Sequence, residues 1–300
     1  MLILAAESYL RVRRAAGFDL RGPGRLLLDF ALYASGQGNT HVRTATAISW
    51  AARSPSVRQS DRRLKIVIRF ARHARAEDAA HEIPPNNVFA APRARRLPHI
   101  FTDDEVQQIL MEAGRLGPPG SLRPNTYQTL FGLLFSCGLR ISEALALRID
   151  EVTPDGLVIR KTKFRKSRLV PLHETTERQI QHYLARRQVA GPTEHLFISR
   201  HRRRLDYSTA YLTFRTILRK LGLRGAAGEP DPRLHDARHT FIVRTLEDCP
   251  PGEVARRMHV LSTYVGHARI TDTYWYSQAT PQLLSGIADA CQTYLHGDTL

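Results

Sequence analysis

The helical spacing of apolar residues stops between Ile83 and Ile100, and this break constrains the fold more than any other feature of the chain. The break contains four prolines and three arginines, namely Pro84, Pro85, Pro92, Pro98, Arg93, Arg95 and Arg96. Proline has no backbone N–H and disfavours helix in the residue before it, so the break predicts a linker. We expect a helical domain over residues 1–82, a basic linker over 83–100 and a second domain over 101–300.

Apolar residues recur at helical spacing on both sides of this linker. In the first domain, the arginines around the segment 64–70 could lie along a DNA backbone or simply face solvent. In the second domain, Thr102 is placed to cap a helix that begins at the acidic residues after it. Two short apolar segments, 157–159 and 169–172, instead predict strands joined by a basic hairpin. The expected fold class is therefore mainly α with a small β-sheet.

The chain carries 44 Lys and Arg against 28 Asp and Glu, a formal net charge of +16. Basic groups that neutralise phosphates release condensed counterions, so double-stranded DNA is the expected partner, although an arginine-rich proteome would also raise the charge. No apolar run is long enough for a membrane span, and the basic residues follow the apolar start, the reverse of a signal peptide. We therefore expect a cytoplasmic protein without membrane contact. The three cysteines lack metal-ligand spacing, which favours reduced thiols.

Only five of the basic residues are lysines, and three of them, Lys161, Lys163 and Lys166, lie within six residues in the predicted hairpin. Lysine can give up a proton near neutral pH when its surroundings lower its pKa, whereas a guanidinium effectively cannot. The cluster therefore favours a proton donor in the hairpin, although chance clustering in an exposed turn would give the same pattern.

Residues suited to phosphate chemistry concentrate in the second domain. Arg140 lies in the sequence Gly-Leu-Arg-Ile-Ser-Glu, Arg238 lies in His-Asp-Ala-Arg-His, and Tyr276 follows His267 by nine residues. Attack on a DNA phosphodiester needs a nucleophile, positive charge at the phosphate and a proton for the leaving oxygen. Arginine forks suit the non-bridging oxygens, so these residues are candidates for one phosphoryl-transfer site.

These motifs, with the basic hairpin that precedes Leu169-Val170-Pro171-Leu172, resemble the tyrosine recombinase (phage-type integrase) family over residues 100 to 285. The resemblance implies a site-specific DNA recombinase with a helical DNA-binding N-terminal domain and an α+β catalytic domain. It implies strand exchange through a covalent 3′-phosphotyrosyl intermediate, without metal or other cofactor. The implied catalytic residues are Arg140 and Arg238 at the phosphate, Lys163 as donor to the 5′ oxygen, His235 for proton transfer and phosphate contact, His267 at the second-histidine position, and Tyr276 as the nucleophile.

The resemblance also implies that two or four copies assemble at paired DNA sites, with or without accessory proteins. The segment 273–276 favours a mobile-element integrase or transposase over an enzyme that resolves replicon dimers. Two positions keep alternatives. Lys161 and Lys166 compete with Lys163 because the family's glycines around the lysine are absent, and Tyr274 competes with Tyr276.

Other functions are open to the same residues. His235 and His239, four apart on a predicted helix, could hold zinc in a metal-dependent hydrolase. If they do not, His239 is expected to pack or to hydrogen-bond, and Glu143 is expected to orient structure. A DNA-binding accessory factor without catalysis is a further alternative, and type IB topoisomerases use similar chemistry. The set of reactive residues favours the recombinase.

Overall fold

The computed structural model describes residues 1–89, 96–160, 167–188, 193–225, 230–250 and 253–266. The chain divides into two compact units, Met1–Arg95 and Arg96–Leu300. The division falls inside the stretch 83–100, where the helical spacing of the sequence stops. The roles expected for the two domains stay predictions. Within the described ranges, no helix combines the length and the apolar character needed to cross a bilayer.

The described part of the first unit contains the helices α1 (Leu2–Ala15), α2 (Arg21–Gly36), α3 (Thr44–Ala52) and α4 (Val57–Glu77). Their apolar faces meet around Phe30 and Trp50, whose ring centroids are 5.4 Å apart in an edge-to-face contact. Arg62, Arg69 and Arg72 are exposed on α4, whereas most of the apolar residues of that helix are buried. The exposure of these arginines is compatible with both alternatives that the sequence left open, contact with a DNA backbone and a face towards solvent.

The segment after α4 folds back on the loop before α3. Glu82 accepts from the first backbone N–H of α3, at Thr44, with a distance of 2.7 Å. His81 is buried, and its Nδ1 accepts from the backbone N–H of Val42 at 3.0 Å. His41, Asp78 and His81 form a cluster that could in principle hold a metal ion. However, Nδ1 of His81 accepts the backbone hydrogen of Val42, so the proton of the neutral ring lies on Nε2 and neither nitrogen offers a free lone pair to a metal. These contacts therefore connect the end of α4 to the loop before α3.

The described part of the second unit contains α5 (Asp103–Gly114), α6 (Arg123–Cys137), α7 (Ile141–Ala144), β1 (Val152–Thr153), β2 (Gly156–Ile159), β3 (Arg168–Val170), α8 (Glu174–Gln188), α9 (Tyr207–Lys220), α10 (Leu234–Glu247) and α11 (Val254–Val265). Thr102 caps α5 in a capping box with Glu105, as the acidic first turn predicts. The strands form one antiparallel sheet in the order β1-β2-β3. The sequence predicted the last strand to reach Leu172, but β3 ends at Val170 because Pro171 has no N–H for the ladder.

The buried helix α6 forms the centre of the second unit and packs against α5, α8 and α10. Phe101, Phe131 and Phe214 fill the space between these elements, with ring centroids 5.2 Å apart for Phe131 and Phe214. A smaller apolar cluster joins α10 to α11. This packing brings together the end of α6, the beginning of α10 and the end of α11, where the candidate site lies.

Candidate active site

Arg140 is held at the beginning of a helix. Helix α6 ends at Gly138, which has the left-handed angles φ 58° and ψ 25° that favour glycine. The chain then reaches Arg140, the N-cap of α7, whose backbone N–H donates to Glu143 Oε2 at 3.1 Å. The Arg140 side chain is 29% exposed and its Nη1 donates to Glu143 Oε1 at 2.8 Å. The guanidinium is therefore fixed on its inner side and open on the other.

Arg238 lies on α10 and is buried, with 2% of its surface exposed. Its Nη1 donates to the carbonyl of Gly138 and its Nη2 to the carbonyl of Val265, both at 2.8 Å. Nη2 of Arg140 donates to the next carbonyl, that of Gly266, also at 2.8 Å. The two guanidiniums therefore converge on consecutive carbonyls at the end of α11, where the helix carries partial negative charge. Two arginines 98 positions apart in sequence share one anchor.

Glu143 joins Arg140 to a second arginine that sequence reasoning did not assign. Nη1 and Nη2 of Arg168 donate to the two carboxylate oxygens of Glu143 at 3.1 and 2.8 Å. Burial raises the pKa of Glu143, but the hydrogen bonds and charge of Arg168, with the bonds from Arg140, outweigh burial and lower that pKa to about 2. Glu143 is thus ionised and orients structure, as expected. The sequence offered one signal that Arg168 has a partner inside the protein: it is a charged residue at the start of a strand whose other residues are apolar.

His235 lies in the first turn of α10 and is exposed, whereas Asp236 beside it is fully buried. Asp236 accepts from the backbone N–H of Arg233 at 2.7 Å and so caps α10. The rings of His235 and His239 meet edge to face with centroids 4.7 Å apart. Among the described residues, the one group of three possible metal ligands lies in the first unit, at His41, Asp78 and His81. No third ligand from the described part of the chain therefore lies beside His235 and His239. The arrangement gives no support to the zinc hydrolase.

Three of the expected catalytic residues, and their alternatives, lie outside the described residues: Lys163, His267 and Tyr276, with Lys161, Lys166 and Tyr274. The elements that precede and follow them are described. Ile159 on β2 pairs with Arg168 on β3, so the end of the sheet at which the hairpin begins and ends lies beside Glu143. Gly266, which closes α11, accepts from Arg140 and directly precedes His267.

Comparison with known proteins decides the family. The family model described as "Phage integrase family" matches residues 99–282. The chain belongs to this family. It is 38% identical over 295 residues to "Putative integrase/recombinase y4rB" of Sinorhizobium fredii, covering 93% of both chains. It is 29% identical over 301 residues to tyrosine recombinase XerD of Caulobacter vibrioides, covering 94% of both. The expected enzyme class, a site-specific DNA recombinase of the tyrosine type, is confirmed.

Solved structures of other recombinases share the fold of this phage integrase family member. The integrase of transposon Tn1549, in complex with circular intermediate DNA, matches with a TM-score of 0.66 at 18% identity, covering 92% of this chain and 94% of that one. The XerH recombinase bound to a palindromic difH substrate matches with a TM-score of 0.65 at 18% identity, covering 89% and 78%. The predicted fold class, mainly α with a small sheet, is confirmed.

Proposed function

We propose that this recombinase breaks and rejoins DNA through a transient ester between the hydroxyl of Tyr276 and a 3′ phosphate. The observation that carries the proposal is the convergence of Arg140 and Arg238 on the carbonyls of residues 265 and 266. Two guanidiniums held side by side can bind the non-bridging oxygens of one phosphate and stabilise the charge that develops during displacement. The nucleophile follows ten residues after Gly266.

Each step of the proposed reaction has a residue for its proton. The phenol has an ordinary pKa of about 10 and is a weak nucleophile at neutral pH, so it needs a proton acceptor and the arginines nearby. His235 supports the transfer of that proton and contacts the phosphate, with His267 as the second histidine. The tyrosine oxygen forms a bond to phosphorus as the bond to the 5′ oxygen breaks, and Lys163 protonates that oxygen. The 5′ hydroxyl of another strand reverses the exchange, so no external energy source is needed.

Arg140 retains capacity for a phosphate in its observed position. Arg140 donates once from each terminal nitrogen in the contacts described above, and each of these nitrogens carries two hydrogens. Its partial exposure leaves the outer edge of the guanidinium accessible. A phosphate can therefore bind Arg140 without loss of the bonds to Glu143 and Gly266.

The same proposal covers the partners. Solved neighbours include a lambda integrase dimer bound to a core site, and the integrase-named relative supports action on a mobile element. We infer that two or four protomers of this protein act on paired sites in double-stranded DNA in the cytoplasm, with the first unit gripping the duplex.

The test is a covalent adduct with nicked candidate-site DNA, formed in excess EDTA and detected on a denaturing gel. Tyr276→Phe should abolish the adduct, and Tyr274→Phe, the matched control, should keep it. An adduct that survives Tyr276→Phe and disappears in Tyr274→Phe would move the nucleophile. Strict metal dependence would favour the hydrolase, and tight binding of a verified site without any adduct would favour the accessory factor.

The donor can be tested on the same substrate. Lys163→Ala should slow cleavage, and a 5′-phosphorothiolate should restore the rate because sulfur leaves without needing a strong acid. Lack of rescue would contradict the role of Lys163. The equivalent changes at Lys161 and Lys166 serve as controls.

A further inference from the structure

Arg168 is the arginine that joins three parts of the candidate active site. Its side chain is only 11% exposed. Its Nε donates to the carbonyl of Tyr264 at 2.8 Å, while its two terminal nitrogens hold both carboxylate oxygens of Glu143. One side chain therefore ties β3, α7 and the last turn of α11 together. Each of these elements adjoins a residue assigned to the chemistry.

The carboxylate of Glu143 is shared between two guanidiniums. Its Oε1 accepts from both Arg140 and Arg168, and its Oε2 accepts from Arg168 and from the backbone of Arg140. One negative charge therefore faces two positive charges, and the more exposed of the two cations is Arg140. Without Arg168, the carboxylate would be left in a one-to-one pair with Arg140 and would cancel its charge.

Arg168 packs closely against the backbone of Gly266 at the end of α11. The residue has a φ of 67°, and a Cβ built there would lie 2.7 Å from Nη1 of Arg168. The carbonyl of the same glycine accepts from Arg140. Gly266 thus leaves room for the guanidinium of Arg168, and its carbonyl binds the guanidinium of Arg140. A shift of this residue would move both arginines.

We propose that Arg168 is a positioning residue for recombination: it takes up the carboxylate of Glu143, so that the guanidinium of Arg140 keeps its charge and its orientation for the DNA phosphate. This inference rests on the proposed function, because it assumes that Arg140 binds the phosphate. Arg168 acts through Glu143 and does not itself contact the substrate.

Arg168→Met is the first test, because methionine keeps apolar bulk and removes the charge and every donor. At saturating nicked DNA, the single-turnover rate of adduct formation should fall roughly 10- to 100-fold, since displacing a catalytic group by about 1 Å can cost that much. The Kd for DNA should change by less than about threefold, because Arg168 is one of 44 Lys and Arg residues and is itself largely buried. Loss of rate at nearly constant affinity is the signature of positioning.

A second change separates positioning from a general loss of structure. In the double variant Arg168→Met with Glu143→Gln, the neutral amide cannot cancel the charge of Arg140. The double variant should therefore cleave faster than Arg168→Met alone. If the two changes were instead independent structural losses, their effects would add and the double variant would be slower. Arg168→Lys keeps the charge without the two-pronged contact, and its rate should lie between those of Arg168→Met and the wild type. If Arg168→Met does not fold, Arg168→Lys alone decides, and a wild-type rate in it overturns the proposal.

The rate of Arg168→Met relative to wild type should also rise as the pH is lowered from about 8 to about 5.5, since the pKa of a buried carboxylate that has lost its main partner moves upward. Protonated Glu143 would release Arg140. The described titratable and charged groups at Glu143 are Arg140 and Arg168, and burial raises the pKa of the nearby Tyr264 and Cys137, which stay neutral. Taking the ratio to wild type cancels any pH dependence that the two proteins share. A ratio that does not change with pH would contradict the proposal.

Arg187 provides the matched control. It is a buried arginine, 3% exposed, that donates to the backbone carbonyl of Leu196 at 3.0 Å in a different part of the unit. Arg187→Met should lower thermal stability and leave the adduct rate of the folded, DNA-bound protein unchanged. The inference is overturned if Arg168→Met behaves like Arg187→Met, or if the double variant is no faster than the single one. If the wild type forms no adduct at all, the proposed function fails and this inference fails with it.

Discussion

Gly138→Ala should destabilise the second unit strongly, because glycine is required there for two separate reasons. Gly138 ends α6 with a φ of 58°, in the left-handed region that costs an L residue about 1–2 kcal/mol. A Cβ at this position would also lie 2.4 Å from Cδ1 of Phe241, whose ring stacks on Tyr264. Displacing a packed ring costs about 1–3 kcal/mol.

The net effect is the sum of these two costs less a small gain. Alanine restricts the unfolded chain and thereby returns about 0.4–1 kcal/mol. We therefore expect a loss of about 3 kcal/mol, which for a unit of this size lowers the melting temperature by roughly 6–12 °C. The carbonyl of Gly138 accepts from Arg238, so the backbone shift should also slow adduct formation.

Gly132→Ala is the matched control in the same helix. A Cβ at Gly132 meets nothing within 4 Å, and glycine inside a helix is less stable than alanine by about 0.5–1 kcal/mol. Gly132→Ala should therefore raise the midpoint of urea unfolding while Gly138→Ala lowers it, with both measured on the full chain. If Gly138→Ala costs less than about 0.5 kcal/mol, the packing and strain argument is wrong.

The remaining predictions concern charge and capping. The pKa of Glu143 is lowered from 4.5 to about 2, so its stabilisation of about 3 kcal/mol is present above pH 4.5 and is lost as the pH falls towards 2. In acid titrations followed by circular dichroism, Glu143→Gln should be less stable at pH 7 and show a flatter decline over that window; an unchanged curve would contradict the assignment. Thr102→Ala removes the side chain that caps α5 and should cost about 1 kcal/mol in urea unfolding, with Ser208→Ala at an exposed position as a control of little effect.

The sequence was sufficient for the features that depend on local patterns. Apolar spacing predicted a mainly helical chain, and the acidic turn after Thr102 located α5 with its cap. The two apolar segments predicted β2 and β3, which the structure pairs antiparallel. The error at Leu172 arose because an apolar run continues past a proline that cannot take part in the ladder.

The features that the sequence could not supply are contacts between distant residues. Arg168 and Glu143 are 25 positions apart, and no local pattern of charge joins them. The partners of Arg140 and Arg238 at the end of α11 are backbone carbonyls, which every residue has and which therefore leave no mark in the sequence. Family motifs could name the two arginines, but only the fold places their guanidiniums on the same helix end.

This helix end also explains how the arginines can be ready for a phosphate before DNA arrives. Two cations side by side repel each other, and carbonyls at a helix C-terminus carry partial negative charge that offsets the repulsion. Bonds from Arg140 and Arg238 to the carbonyls of residues 266 and 265 restrict both side chains in the protein without DNA. An arginine that is already restricted loses less conformational entropy when it binds, so more of its interaction with the phosphate remains to stabilise the transition state. Gly266 at the helix end is therefore part of the proposed phosphate site, because its conformation aims a carbonyl at Arg140 and leaves space for Arg168.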